Sequence, residues 1–201
     1  MGNLLILNGS PRAPRSNSRR YAQIFSSCYG ENMEYFDITK RNHPELCAKL
    51  AGTSHVLFVF PLYADGLPVT LLNFLKSLEA APPQNKPTVS VLINCGFLEP
   101  QQNEMAVEMM RLFCRQNHYP FGSVLKIGSG EAILDSPFRF LAVRKIRRFA
   151  GSIAKGSYGT FQTTMPLPKG LFVKAAASYW INYGKKFGVT KEEMQTMQIE
   201  S

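Results

Sequence analysis

In the stretch HVLFVFPLYADGLPVTLLNFLKSL, residues 55–78, a buried strand is followed by a loop and then by a helix. Residues 55–60 form a nearly continuous apolar run, which is typical of a strand covered on both faces in a parallel sheet. Pro61 ends this run, and Pro68 stands where the first turn of a helix tolerates proline. Apolar residues then recur at helical spacing through Leu75. The stretch therefore predicts one strand–loop–helix unit of an α/β domain.

The same alternation continues on both sides of this unit. Further strands are predicted at Asn3–Asn8, Met33–Ile38, Thr88–Asn94 and Ser123–Ile127, and further helices at Asn17–Cys28, Pro44–Ala51 and Glu104–Asn117. Strands that alternate with helices form a parallel sheet through right-handed crossovers. Beyond residue 130 the alternation is expected to stop, leaving helices near 137–154 and 169–187. We therefore predict a core over residues 1–130 and a helical extension over 131–201, packed on the same domain or on a dimer partner.

The composition is that of an ordinary globular protein. The chain has 201 residues, of which 45% are hydrophobic and 18% charged, enough for one substantial core. Its apolar runs are too short to cross a bilayer and no signal segment is apparent, so a cytoplasmic location without a membrane partner is expected. Four scattered cysteines give neither a metal or cluster motif nor a disulfide framework, so we expect reduced thiols and no metal site.

The chain is basic, with 23 Lys and Arg against 14 Asp and Glu and a net charge of +9. This excess favours anionic partners, such as phosphorylated cofactors, acidic proteins, anionic lipids and nucleic acid. The densest local cluster is Arg144–Arg148. Its pattern fits either a solvated helix face or an anion-docking surface.

Three loops follow the predicted strands at the edge of the sheet where open α/β sheets bind ligands. The first, Gly9–Ser18, supplies short polar side chains just before a helix N-terminus, which attracts anions. Arg12 and Arg15 can add charge-assisted hydrogen bonds. The loop lacks the P-loop and dinucleotide glycine patterns. Its composition predicts a phosphate site of another kind.

The second and third loops can hold a flat ring. In the second, Tyr63 is able to stack on a heterocycle and Gly66 allows close backbone approach. In the third, Asn94 offers an amide and Gly96 permits backbone amides to reach a ring. Cys95 between them is interpreted as a small buried side chain rather than a redox group.

Two motifs in this order resemble the NAD(P)H-dependent FMN reductase family. They are G-S-P-R-x-x-x-S-N-S after the first strand and P-L-Y-x-x-G-L-P-x-x-L-x-x-F-L-K after the third. The resemblance implies a flavodoxin-like three-layer sandwich, with a five-stranded parallel sheet of order 2-1-3-4-5 and extra C-terminal helices. The third loop departs from the family because it lacks an extended glycine run, and the C-terminal helices replace the usual compact ending. The electron acceptor is therefore the least transferable property.

The resemblance also implies a noncovalent FMN cofactor. Its phosphate is expected at Ser10, Arg12, Ser16, Asn17 and Ser18. Its ring is expected between two groups of loop residues, which are Pro61, Leu62, Tyr63, Ala64, Asp65 and Gly66 on one side and Asn94, Cys95, Gly96, Phe97 and Glu99 on the other. NADPH or NADH would donate a hydride to the flavin, which would reduce a small acceptor such as a flavin, a quinone, a nitro or azo compound, or a metal ion. No side chain is expected to act as a catalyst, and a homodimer is expected.

Two other functions fit parts of the sequence. One is a flavodoxin-like one-electron carrier, although such carriers are usually acidic and compact. The other is a non-enzymatic module that docks an acidic partner or nucleic acid through its basic surface. No nucleic-acid motif is present, and a phosphate site already accounts for the arginines of the first loop, so nucleic acid is disfavoured.

Overall fold

A computed structural model describes residues 3–30 and 32–196; the ends of the two predicted domain ranges, at residues 1–2 and 197–201, lie outside this part. The strands are β1 (Leu4–Asn8), β2 (Met33–Asp37), β3 (His55–Pro61), β4 (Thr88–Asn94), β5 (Phe121–Ile127) and β6 (Thr160–Thr163). The helices are α1 (Asn17–Tyr29), α2 (His43–Leu50), α3 (Val69–Ala80), α4 (Glu104–Gln116), α5 (Arg139–Ala154), α6 (Lys169–Lys185) and α7 (Lys191–Gln195).

All described strands belong to one parallel sheet of order β2-β1-β3-β4-β5-β6. The five predicted strands and their order are confirmed. The prediction that alternation stops at residue 130 is wrong, because β5, α5 and β6 form another strand–helix–strand unit. Strand β6, TFQT, was not predicted, because a short and partly exposed edge strand has no apolar run.

The sheet is buried on both faces, and β1 shows how. Successive side chains of a strand point to opposite faces, so Leu5 and Leu7 join the core formed with α2, α3 and α4. Leu4 and Ile6 are also buried and point to the other face. On that face α1 contacts α5, where the rings of Phe25 and Phe149 meet edge to face at 5.7 Å. The result is the predicted three-layer sandwich.

The chain divides into two compact units between Met165 and Pro166. The first unit contains the sheet together with α1–α5, so α5 and β6 from the predicted extension belong to it. The second contains α6 and α7. Its α7 begins with a capping box formed by Thr190 and Glu193. Gly184 of α6 lets Met194 of α7 approach closely, since a Cβ at Gly184 would lie 2.9 Å from the Met194 sulfur.

None of the helices in residues 3–30 and 32–196 is long and apolar enough to span a bilayer. The four cysteines are free thiols.

Candidate functional site

A cavity of about 470 Å³ lies at the carboxyl ends of β1, β3 and β4. Its volume falls within the roughly 300–1,000 Å³ that is usual for ligand pockets, and its position is where ligands bind in open α/β sheets. It is lined by Ser10, Arg12, Pro14, Arg15, Ser16, Asn17, Ser18, Arg19, Arg20, Gln23, Pro61, Leu62, Tyr63, Asn94, Cys95, Gly96 and Glu131.

All three predicted loops reach this cavity, but some of their predicted residues do not line it. The first loop contributes every residue predicted for the phosphate, and the other two loops contribute only their first three residues each. The predicted residues that do not line the cavity are Ala64, Asp65, Gly66, Phe97 and Glu99. The reasons lie in the local geometry of each loop.

Asn8, at the end of β1, organises the first loop. Its side chain is fully buried, and its amide donates to the Tyr35 hydroxyl at 3.0 Å and to Asp37 at 2.9 Å. Its side-chain oxygen accepts from the Ser10 backbone N–H at 3.0 Å. The amide thus ties β2 to the loop that follows β1. The sequence analysis missed Asn8 because it treated this residue as the last position of a buried strand.

Ser16 caps α1 at the cavity wall. Its backbone is extended, and its hydroxyl oxygen accepts from the Arg19 backbone N–H at 3.2 Å, the usual arrangement of an N-cap serine. The first amides of an α-helix have no acceptor within the helix and carry partial positive charge. This end of the cavity is therefore suited to an anionic group.

Ser18 and Asn94 connect α1 to the centre of the sheet. The Asn94 amide donates to the Ser18 hydroxyl and to the Phe60 carbonyl, both at 3.1 Å. Both side chains are almost fully buried, and buried polar groups of this kind need partners. They therefore set the distance between the first and third loops in addition to lining the cavity.

Four arginines line the cavity, and three of them have a carboxylate neighbour. Arg20 binds both oxygens of Asp135, which lowers the pKa of that carboxyl group. Arg19 lies 3.8 Å from Asp37, and Arg12 lies 3.9 Å from Glu131. Among the described residues, Arg15 has no ion-pair partner. Arg15 is thus the arginine most available to an anionic ligand.

Glu131 is a cavity residue that the sequence analysis missed. Its carboxylate accepts from the Asn17 amide at 3.2 Å, and its Cγ lies 3.7 Å from the position that a Cβ on Gly96 would occupy. It follows β5, so its position at the carboxyl end of a parallel strand was a usable signal. A carboxylate beside the helix N-terminus competes with any other anion for the same donors.

We expect Glu131→Gln to tighten the binding of a phosphate-bearing ligand. Removing one partly exposed negative charge from the cavity should contribute about 0.5–1 kcal/mol, roughly two- to fivefold in Kd. FMN titration by fluorescence quenching measures this. Glu108→Gln on α4, whose carboxylate pairs with Arg111, is the matched control and should leave Kd unchanged. Weaker binding by Glu131→Gln would mean that the carboxylate itself contacts the ligand.

The second loop turns away from the cavity after Tyr63. Tyr63 and Gly66 exchange backbone hydrogen bonds of 3.1 and 3.0 Å, and Ala64 and Asp65 between them have φ values of 46° and 57°. Two consecutive residues with positive φ are the signature of a type I′ turn. Gly66 was predicted to allow close backbone approach to the ligand, whereas the positive φ values lie at Ala64 and Asp65 and Gly66 does not line the cavity. The tight reversal directs the turn residues away from the cavity.

The third loop is fixed by a glycine turn after β5. Cys95 accepts a backbone hydrogen bond from Gly130 at 2.7 Å and donates one to Ile127 at 2.9 Å. A Cβ on Gly128 would lie 2.5 Å from the Leu98 carbonyl oxygen, and one on Gly130 would lie 2.9 Å from the Asn94 Cβ. The two glycines therefore allow the loops after β4 and β5 to pack directly on each other. Beyond Gly96 the third loop follows this contact instead of the cavity.

Cys95 is a buried thiol at the cavity, as interpreted from the sequence. It is 4% exposed, and burial raises its pKa. Because the thiolate is the nucleophile, we expect iodoacetamide to label Cys95 about tenfold more slowly than the half-buried Cys28, with the rate at Cys95 still rising above pH 9. Peptide mass spectrometry measures both rates in one sample. Equal rates at neutral pH would contradict a buried, protonated Cys95.

The fold is shared with a quinone oxidoreductase, a flavodoxin and an azoreductase of known structure. An NAD(P)H:quinone oxidoreductase from Methanothermobacter marburgensis aligns with 76% of this chain and 96% of its own, at a TM-score of 0.61 and 16% identity. A flavodoxin from Streptococcus pneumonia TIGR4 aligns with 76% of this chain and 99% of its own, at 0.56 and 14%. An FMN-dependent NADH-azoreductase from Bacillus anthracis str. Ames Ancestor, in complex with FMN, aligns with 77% and 100%, at 0.57 and 13%.

These neighbours are of the kinds that the two sequence motifs resemble, and they establish a flavodoxin-like fold for this chain. No protein-family model matches the chain, and no curated protein matches it by sequence.

Proposed function

We propose that this chain, which has the flavodoxin-like fold, is an FMN-dependent oxidoreductase that takes electrons from NADPH or NADH. The observation that carries the proposal is the cavity at the carboxyl ends of β1, β3 and β4. One end of it combines a helix N-terminus with arginines, and the other is bordered by Pro61, Leu62 and Tyr63. A phosphate-bearing cofactor with a flat ring has this distribution of charge and apolar surface.

The phosphate would be held by the capped start of α1 and the first loop, through Ser10, Arg12, Ser16, Asn17 and Ser18. We add Arg15 to this set because it has no ion-pair partner among the described residues. The Ser16 hydroxyl oxygen accepts from the Arg19 backbone N–H as the helix cap and from the Asn8 side-chain amide, and its own proton stays available to donate. The hydrogen bonds of Asn8 order the first loop before an anion binds, which lowers the conformational entropy lost on binding.

The ring would lie between the residues that end β3 and those that end β4. Leu62 is fixed there because its backbone N–H donates to the Asn94 carbonyl at 2.7 Å. Tyr63 is 52% exposed beside the cavity, so its ring is available to stack on a flat ligand. The backbone of Cys95 and Gly96 would face the opposite edge. Phe97, Glu99 and the Ala64–Gly66 turn do not line the cavity, so they have no part in this arrangement.

When bound, FMN supplies the redox chemistry by accepting a hydride from the nicotinamide and passing electrons to a second substrate. The residues of the chain bind and orient the two substrates and limit the access of water. We propose a small-molecule acceptor such as a flavin, a quinone, a nitro or azo compound, or a metal ion. The predicted homodimer and cytoplasmic location stay predictions.

The test is the visible absorbance of the purified protein, with and without added FMN, before and after anaerobic addition of NADPH or NADH. A flavin spectrum that bleaches directly to the fully reduced form supports the proposal. Flavin that binds but is reduced by neither nucleotide would favour a carrier that receives electrons from a protein. A protein that does not bind FMN at all would overturn the proposal.

A further inference from the structure

The net positive charge of the chain comes from one segment of the sequence. Between Ser136 and Lys191 there are eleven of the 23 Lys and Arg and none of the 14 Asp and Glu. The remainder of the chain therefore has 12 basic and 14 acidic residues. Basic residues that no acidic residue of the same segment offsets favour anionic partners.

The part of this segment in the second unit exposes a cluster of aromatic rings. Tyr179, Trp180, Tyr183 and Phe187 are 46%, 49%, 37% and 68% exposed. Each ring contacts another of the set at centroid distances of 5.2–6.2 Å. Large rings that pack on one another and remain open to solvent form an apolar patch, and such patches mark interaction sites.

Helix α6 also carries exposed lysines. Lys174, Lys185 and Lys186 are exposed, and by helical spacing Lys174 and Lys185 share a side of the helix that differs from the one carrying the rings. Tyrosine and tryptophan combine an apolar body with a polar tip, and long lysine side chains can extend toward charged groups while their stems cover apolar surface. Helices that lie in the headgroup region of a bilayer have this composition.

The part of the segment in the first unit has a similar surface on α5. Phe140 is 60% exposed, and it lines a shallow groove with Val143 and the arginines Arg139, Arg144 and Arg147. An apolar side chain set among cations is therefore found separately in each unit.

We propose that α6, in the second unit, docks the protein on an anionic lipid surface, with the Tyr179–Phe187 rings inserted among the headgroups. Anionic lipids supply negative charge and an apolar boundary together, whereas a nucleic-acid backbone offers little to exposed Leu171 and Val173. A second copy docked on the same face would bring like charges together, because a two-fold interface pairs a surface with itself. This proposal departs from the expectation of no membrane partner and is independent of the proposed function.

The single tryptophan of the chain, Trp180, is a built-in reporter for this proposal. We expect its fluorescence to shift to the blue, and to be quenched by brominated lipid, when the full-length protein meets vesicles of phosphatidylcholine mixed with phosphatidylglycerol. Vesicles of phosphatidylcholine alone should give a much smaller shift. High salt should release the protein, since it screens the attraction between lysines and lipid headgroups. Equal shifts on both kinds of vesicle, or none on either, would overturn the proposal.

Two variants that keep Trp180 test the two contributions separately. K174Q/K185Q/K186Q should weaken vesicle partitioning roughly 100-fold, at about 1 kcal/mol per lysine. Its control, K40Q/R41Q/K76Q, removes the same charge from exposed positions outside the segment and should change partitioning less than threefold. Y179A/Y183A should weaken partitioning about tenfold, and circular dichroism checks that α6 is retained, as the high helix propensity of alanine predicts.

Two further outcomes would assign the surface to another occupant. Binding to a single-stranded DNA oligonucleotide with no binding to anionic vesicles would identify nucleic acid. A vesicle-free dimer in which Trp180 is already protected, and which Y179A/Y183A converts to monomer, would identify a second copy. Either result overturns the lipid proposal. FMN titrations of the same variants keep this test separate from that of the proposed function, since neither variant alters the cavity.

Discussion

Arg12→Ala combined with Arg15→Ala is expected to weaken FMN binding by roughly 30- to 1,000-fold, which corresponds to a loss of about 2–4 kcal/mol. Both guanidinium groups line the cavity beside the start of α1. Charge-assisted hydrogen bonds to a phosphate are stronger than neutral ones. Arg20 is not free to replace these two arginines, because it binds both oxygens of Asp135. Fluorescence titration measures the dissociation constant of FMN for the wild-type protein and for the double variant.

Lys40→Ala combined with Arg41→Ala is the matched control for this prediction. It removes the same charge from exposed positions between β2 and α2, away from the residues that line the cavity. It should leave the Kd for FMN within about twofold of wild type, the residual effect expected from screened, distant charges. If the arginine variant folds normally and binds FMN as wild type does, the phosphate does not lie at the first loop.

Gly128→Ala is expected to destabilise the protein by about 3 kcal/mol and to lower Tm by roughly 6–12 °C. The new methyl group would lie 2.5 Å from the Leu98 carbonyl oxygen and 2.9 Å from the Thr164 hydroxyl. The Leu98 carbonyl oxygen belongs to the backbone, so this clash is relieved only if the third loop moves; rotation of a side chain is not enough. Because Cys95 and Gly96 of that loop line the cavity, FMN affinity should fall as well. Thermal unfolding and FMN titration measure the two effects.

Gly151→Ala is expected to stabilise the protein and serves as the comparison in the same thermal unfolding experiment. Gly151 lies inside α5 and a Cβ there would meet nothing within 4 Å. Alanine has a higher helix propensity than glycine, so this variant should be more stable by about 0.5–1 kcal/mol. If the two variants have the same Tm, the close packing of Gly128 on the third loop is not a significant constraint.

Much of the first unit could be predicted because its elements have strong local signals. The apolar runs of β1, β3 and β4 and the helical periodicity of α4 indicate their structure independently of the rest of the chain. β6 has no such signal, because it is a short polar edge strand that depends on pairing with β5. The five-residue helix α7 has one local signal, the capping box of Thr190 and Glu193, which was not used in the prediction.

The cavity was predictable in outline for a related reason. Because parallel strands end at one edge, the loops after β1, β3 and β4 had to meet, and residues at the start of each loop do line the cavity. The predicted residues farther along the loops, Ala64–Gly66, Phe97 and Glu99, do not line the cavity. Loop direction depends on turn geometry and on packing against other loops, neither of which has a periodic signal.

The parallel α/β architecture, the excess of positive charge and the identity of the loops that border the cavity all follow from the amino-acid sequence. Which side chains face one another follows from the packing of the folded chain. This packing brought Asn8 to Asp37, Ser18 to Asn94 and Glu131 to Asn17, and it paired three of the four cavity arginines with carboxylates. Strand and helix patterns are local properties of the chain, whereas these contacts join residues distant in sequence and exist only once the sheet and its helices have packed together.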